Sequence, residues 1–214
     1  MNRVLLSVLS LVFFLFQPVH AGGSPETLKE AVDSARRHQF NFRDREGARI
    51  LEEALSRIAK ELPTPEDASA LVEAHLLAAS CHQNVGDRRA MNRYLEEATR
   101  LNPALEPSEL NYPPSFIAQY EKVRRSFYEK EKPSQILVDS RPSGARIFVN
   151  GVYKGKGPLR LERFPPGAHF LYATRDDGEV MKKISLREGE SLEVTLRLKK
   201  KGSSRFRVGD FQSI

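Results

Sequence analysis

Along the first two thirds of the chain, apolar residues recur at intervals of three and four; along the last third they recur at intervals of two. The first pattern predicts helices. Ile50, Leu51, Ala54, Leu55, Ile58 and Leu62 fall on one inward stripe. Ser24-Pro25-Glu26 and Thr64-Pro65-Glu66-Asp67 each set a capping oxygen before a proline at the first helical position, which is the chemistry of a helix start. A third helix is expected from about Pro65 to Val85 and a fourth from about Asp87 to Leu101, folded back on each other by the Gly86-Asp87 turn. After Asn111-Tyr112-Pro113-Pro114-Ser115, a fifth helix gathers Phe116, Tyr120, Val123 and Phe127 on one stripe. Such a stripe caps the open end of a helical stack or takes a partner.

The second pattern predicts strands. Ala145, Ile147 and Val149 alternate with Arg146, Phe148 and Asn150, and Leu192, Val194, Leu196 and Leu198 alternate with Glu193, Thr195 and Arg197. Asn150-Gly151 is the pair that tolerates two left-handed residues, so it predicts a type I′ hairpin. Further turn signals at Pro142-Ser143-Gly144, Pro165-Pro166-Gly167, Asp177-Gly178 and Glu188-Gly189 divide the segment into about seven short strands. The fold class is therefore α+β: a helical domain over residues 24–132, a charged linker at Lys130-Glu131-Lys132-Pro133-Ser134, and a small all-β sandwich over residues 134–198.

Two resemblances sharpen this reading. Pro142-Ser143-Gly144-Ala145, Val149-Asn150-Gly151, Gly155-Lys156-Gly157-Pro158 and Pro165-Pro166-Gly167-Ala168-His169 follow one another in the order of the PEGA domain family, which residues 134–198 resemble along nearly their whole length. The resemblance implies a non-catalytic, extracytoplasmic β domain. Its turns rest on Gly144, Asn150, Gly151, Gly155, Gly157 and Gly167; Ser143 stands where the family often has a glutamate. The helical pair resembles a tetratricopeptide repeat: Ala78 and Ala79 supply small residues in the first helix, Gly86-Asp87 the turn, and Tyr94, Leu95, Ala98 and Leu101-Asn102-Pro103 the second helix. One repeat of about 34 residues is expected, with residues 25–62 as a degenerate partner, and such stacks leave a concave surface for a peptide.

The amino terminus bears on compartment. Met1-Asn2-Arg3, the apolar run from Val4 to Phe16, and the Val19-His20-Ala21 end predict a secretory signal over residues 1–21, cut after Ala21. An uncleaved anchor is the alternative, but the run is shorter than the ~20 apolar residues that span a bilayer. No integral membrane segment is then expected in the mature chain.

Charge is uneven. Residues 22–133 carry 17 basic and 19 acidic side chains, residues 134–198 carry 11 and 8, and residues 199–214 carry 5 and 1. The formal net charge of +6 thus comes largely from a tail holding Lys199, Lys200, Lys201, Arg205 and Arg207, interrupted by Gly202-Ser203-Ser204. A mobile basic tail is expected, serving either solubility or attachment to an anionic envelope surface. Without a broad basic face or a recognition motif, nucleic acid is not an expected partner.

Catalytic chemistry finds little footing. Gly151-Val152-Tyr153-Lys154-Gly155-Lys156-Gly157 falls one residue short of a phosphate loop and has Gly157 in place of the magnesium-binding hydroxyl. Exposed Lys154, Lys156 and Arg160 are left as a small anion-attracting patch. His75 and His82 stand seven apart, whereas helical metal pairs want three or four. Cys81 is the only cysteine and reads as a core residue. No catalytic, cofactor-binding or metal-ligating residue is expected. The sequence points to an exported adaptor or scaffold whose helical groove binds a protein partner in the bacterial envelope and whose β domain docks on an envelope component; the other reading is a passive structural element of the envelope or surface layer.

Overall fold

The computed structural model describes residues 27–130, 132–176 and 178–200; the expected signal segment and the tail from residue 201 lie outside them. Five helices come first: α1 Leu28–Phe40, α2 Asp44–Lys60, α3 Pro65–Asn84, α4 Arg88–Leu101 and α5 Pro114–Lys130. Eight strands follow: β1 Ser134–Arg141, β2 Arg146–Val149, β3 Val152–Lys156, β4 Leu159–Phe164, β5 Gly167–Arg175, β6 Gly178–Leu186, β7 Ser191–Arg197 and β8 Lys199–Lys200.

The α3 start matches its sequence signature. Thr64 caps the helix, its hydroxyl accepting from the Asp67 amide at 3.1 Å, with Pro65 in the first turn. The described part of α1 is capped by Thr27, with Glu30 closing a reciprocal capping box that satisfies two end groups at once; the expected start at Ser24-Pro25 lies outside the described residues. Asp67 reinforces that start from another helix, accepting from the Leu28 amide at 2.7 Å.

α1 packs on α2 and α3 on α4 as antiparallel hairpins, with α5 against α4. Ala35, Ala78 and Ala79 are fully buried, so these helices approach closely. A side chain on Gly47 would press within 3.2 Å of the Ala35 carbonyl and the Cys81 sulfur. Burial pushes the Cys81 thiol up to about 12, which leaves it without thiolate character. The α5 stripe of Phe116, Tyr120, Val123 and Phe127 is buried. It is core, not a waiting partner face.

The strands form two sheets, β4-β1-β7 and β3-β2-β5-β6-β8. Ile136, Val138, Ile147, Val149, Leu171, Ala173, Val194 and Leu196 fill the space between them. β1 pairs parallel with β7, a long-range contact that joins the first full strand to the last. β8 pairs with the start of β6, so Lys199 and Lys200 belong to the sheet rather than to a free tail.

The five-stranded sheet has a second buried face. Phe170 and Met181 join the helical core, with Tyr172 partly buried against it. The molecule is thus three layers deep: helices, five-stranded sheet, three-stranded sheet.

Candidate functional site

The β2–β3 turn forms the junction between helices and sheet. Asn150 and Gly151 both have left-handed backbones, with φ of 50° and 79°, as a type I′ turn requires. The turn is not a surface feature. A Cβ on Gly151 would lie 2.4 Å from the Ser69 Cα and 2.5 Å from the Ala68 carbonyl oxygen, so only glycine lets the turn lie against the backbone of α3.

Beside it, the fully buried Asn150 side chain reaches three groups. Its amide nitrogen donates to the Leu101 carbonyl at 2.8 Å, at the carboxyl end of α4, and to His169 Nδ1 at 3.0 Å; its oxygen accepts from the Phe170 amide at 2.9 Å. His169 Nε2 in turn donates to the Pro165 carbonyl at 2.9 Å, which fixes the ring as a neutral tautomer. Arg100 of α4 lies against Gly167, where a Cβ would come within 2.6 Å of the Arg100 Cδ. Lys183 Nζ donates to the Ala59 carbonyl at the end of α2, at 3.0 Å. Three helices are therefore tied to the sheet by hydrogen bonds or backbone contact.

Burial lowers the His169 imidazole to about 4, against which its bond to the Pro165 carbonyl acts only partly. Burial likewise holds His75 below the ordinary histidine range. The sign of the consequence follows from linkage. Above the ordinary value near 6.5 the stability is fully present. As pH falls toward 4, the unfolded chain takes up a proton that the folded chain does not, so stability is lost, and the loss levels off below 4. At about 1.4 kcal/mol per unit, the His169 contribution approaches ~3 kcal/mol. Urea unfolding between pH 7 and pH 4.5 should show a shallower decline for His169→Gln than for the wild type; equal slopes would mean that this imidazole is not held neutral.

The remaining turn glycines serve the sheet itself. Gly144 and Gly155 also have left-handed φ, at 80° and 142°, whereas a Cβ on Gly157 would fall 2.9 Å from Ile147 Cδ1 and displace the end of that side chain.

The three cations expected as a basic patch differ in their surroundings. Lys154 is half-buried rather than exposed, and burial pulls its ammonium below the ordinary lysine range. Lys156 is exposed opposite Arg146, whose guanidinium lies over the Phe148 and Tyr153 rings at 5.2 and 5.5 Å. Arg160 lies between Leu159 and Leu161, which turn into the sandwich core, so it points outward from the three-stranded sheet beside Glu162 at 3.8 Å. Lys156 and Arg160 therefore belong to different sheets. Alternation within one loop conceals this, because the chain changes sheets between β3 and β4. Lys199 and Lys200 are exposed on β8; Lys201, Arg205 and Arg207 lie outside the described residues.

In the helical layer, His75 and His82 both pack on the Tyr94 ring, at 5.9 and 5.4 Å between centroids. His75 Nδ1 donates to the Leu71 carbonyl at 2.7 Å, and His82 Nε2 meets Glu52 at 3.0 Å. A cavity of about 370 Å³ opens where α1, α3, the 102–112 loop and the β2–β3 turn converge. Its lining includes Arg36 and Glu73, which pair, with Val72, Tyr112, Gly151 and Val152.

Residues 134–202 match the model of the PEGA domain family. The match covers the whole sandwich and extends past Leu198 through β8. No curated protein matches the chain. No helix among the described residues is long and apolar enough to cross a membrane.

Sequence reasoning located the turn but missed its role in joining the layers. The signal lay in β5: Phe170-Leu171-Tyr172-Ala173 is apolar at consecutive positions, the pattern of a strand covered on both faces.

Proposed function

We propose that this chain is a non-catalytic adaptor or scaffold of the bacterial envelope, exported by its amino-terminal segment. Its helical layer, of tetratricopeptide type, and its PEGA module act together as one recognition body. The observation that carries this reading is the cavity at the junction, because its lining comes from both: Arg36, Val72 and Glu73 from the helices, Gly151 and Val152 from the β2–β3 turn. A protein partner recognised there contacts the two modules at once.

The size of the cavity and the burial of Tyr112 favour a short segment with one or two anchoring side chains over a long extended peptide. The Arg36–Glu73 pair at the rim offers charges of both signs to such a segment. Recognition here rests on burial and charge complementarity, with no bond chemistry. Lys201, Arg205 and Arg207 add attraction to an anionic envelope surface in this reading.

A photo-cross-linking residue at Asn111, exposed on the cavity rim, should capture a discrete envelope protein in cells, whereas the same group at exposed Lys122 on α5 should not. Equal capture at both positions, or none at either, would remove the cavity as the recognition site.

A further inference from the structure

The two helical hairpins turn by the same backbone device with different residues at its key position. After α3, the Gly86 amide donates to the Gln83 carbonyl at 3.1 Å and the Asp87 amide to the His82 carbonyl at 2.9 Å. After α1, the Phe42 amide donates to Gln39 and the Arg43 amide to His38, both at 2.9 Å. This is the Schellman closure, whose left-handed residue is ordinarily glycine. Gly86 occupies it in the second hairpin at φ 81°; in the first, a phenylalanine occupies it at φ 56°.

Phe42 gains nothing from its own fold in return for that backbone, since it is 93% exposed. Phe40, two residues earlier, is 84% exposed, and Val85 belongs to the neighbouring turn, which Asn84 joins to Asp44 at 2.8 Å. The surrounding charge has one dominant sign. Arg37, Arg43, Arg45, Arg88 and Arg89 are all exposed, and none makes an ion pair among the described residues. The acidic residues of the two turns are committed to the fold: Asp44 accepts from Asn84, and Asp87 caps α4. The tip also faces away from the β module, which meets α3 at Ser69, sixteen residues and roughly 24 Å of helix before Val85.

We propose that this end of the helical layer is a membrane-contact tip, inserting Phe40 and Phe42 into the headgroup region of an anionic phospholipid bilayer while the five arginines engage lipid phosphates. A convex tip of two aromatic rings is far below the ~800 Å² per partner of a stable protein interface. Aromatic residues beside arginines are what an anionic membrane surface retains. The contact is separate from the cavity and needs neither the tail nor the signal segment.

The chain has no tryptophan, so Phe42→Trp in the full chain introduces a single reporter at the tip. Its emission should shift to shorter wavelength, and be quenched by brominated lipid, with vesicles of phosphatidylglycerol and phosphatidylcholine but not with phosphatidylcholine alone. Phe42→Gly should melt at or above the wild-type temperature, since it restores the residue this turn favours, yet in a Phe40→Trp chain, which keeps a single reporter at the tip, it should reduce the quenching by brominated lipid at least tenfold. Arg43→Glu with Arg45→Glu should do the same to binding. The proposal is overturned by an unshifted emission with both vesicle types, by an equal shift with neutral lipid, by undiminished quenching of Phe40→Trp when Phe42→Gly is added, or by a shift given only by soluble envelope protein.

Discussion

Replacing Gly151 by valine is expected to separate the β module from the helices and to be among the most damaging single changes in the protein. The left-handed backbone alone accounts for ~1–2 kcal/mol with a β-branched residue. The larger part comes from space, because the new Cβ would sit 2.4–2.5 Å from backbone atoms of Ala68 and Ser69, which cannot rotate away as a side chain would. Relief requires the turn to withdraw from α3. That withdrawal exposes Phe170 and Met181 and breaks the Asn150 bond to Leu101. Gly151→Ala should show most of the same effect although alanine is small, which distinguishes contact with the helix from turn strain. Lys156→Ala, on an exposed position of the same hairpin, should leave the melt unchanged. The check is thermal unfolding together with limited proteolysis between residues 130 and 134. Near-equal melts for Gly151→Ala and Lys156→Ala would mean that the turn does not bear on the helices.

Asn150→Ala is the second. It leaves the Leu101 carbonyl, the His169 Nδ1 and the Phe170 amide without their partner in a region closed to water. Each orphaned group is worth ~1–3 kcal/mol, and alanine also resists the left-handed backbone, so a loss of at least ~4 kcal/mol is expected. Asn150→Gly should recover the backbone part but not the hydrogen bonds. Chemical denaturation of the three proteins should therefore rank them wild type, glycine, alanine in falling stability. A glycine variant as stable as the wild type would make the side-chain bonds dispensable.

Much of this architecture was legible in the sequence because local patterns sufficed for it. Thr64-Pro65 fixes one helix start, Gly86-Asp87 a helical turn, and the alternation of Ala145, Ile147 and Val149 an inward strand face. Asn150-Gly151 identified its turn type from two residues. What the turn touches depends on residues eighty positions earlier, and no local pattern encodes that contact. The same limit applies to the pairing of β1 with β7 and to the change of sheet between β3 and β4, which puts Lys156 and Arg160 on different sheets. At α1 the sequence also holds Thr27-x-x-Glu30, a reciprocal box that satisfies two amides and caps the described helix. The tip at Phe40 and Phe42 was open to reading as an apolar pair at a helix end, yet only the backbone angle and the exposure reveal that the fold does not use it.

The contacts of the β2–β3 turn with α3 and α4 require the helices and the β module to move as one body. Cys81, the single cysteine, is buried, so cysteines introduced at Lys122 on α5 and Lys182 on β6, both exposed, accept spin labels selectively. The distance between them, measured by electron double resonance, should form one narrow distribution in the otherwise native chain and broaden when Gly151→Ala is added. A broad distribution in the native chain, unchanged by that substitution, would contradict the account.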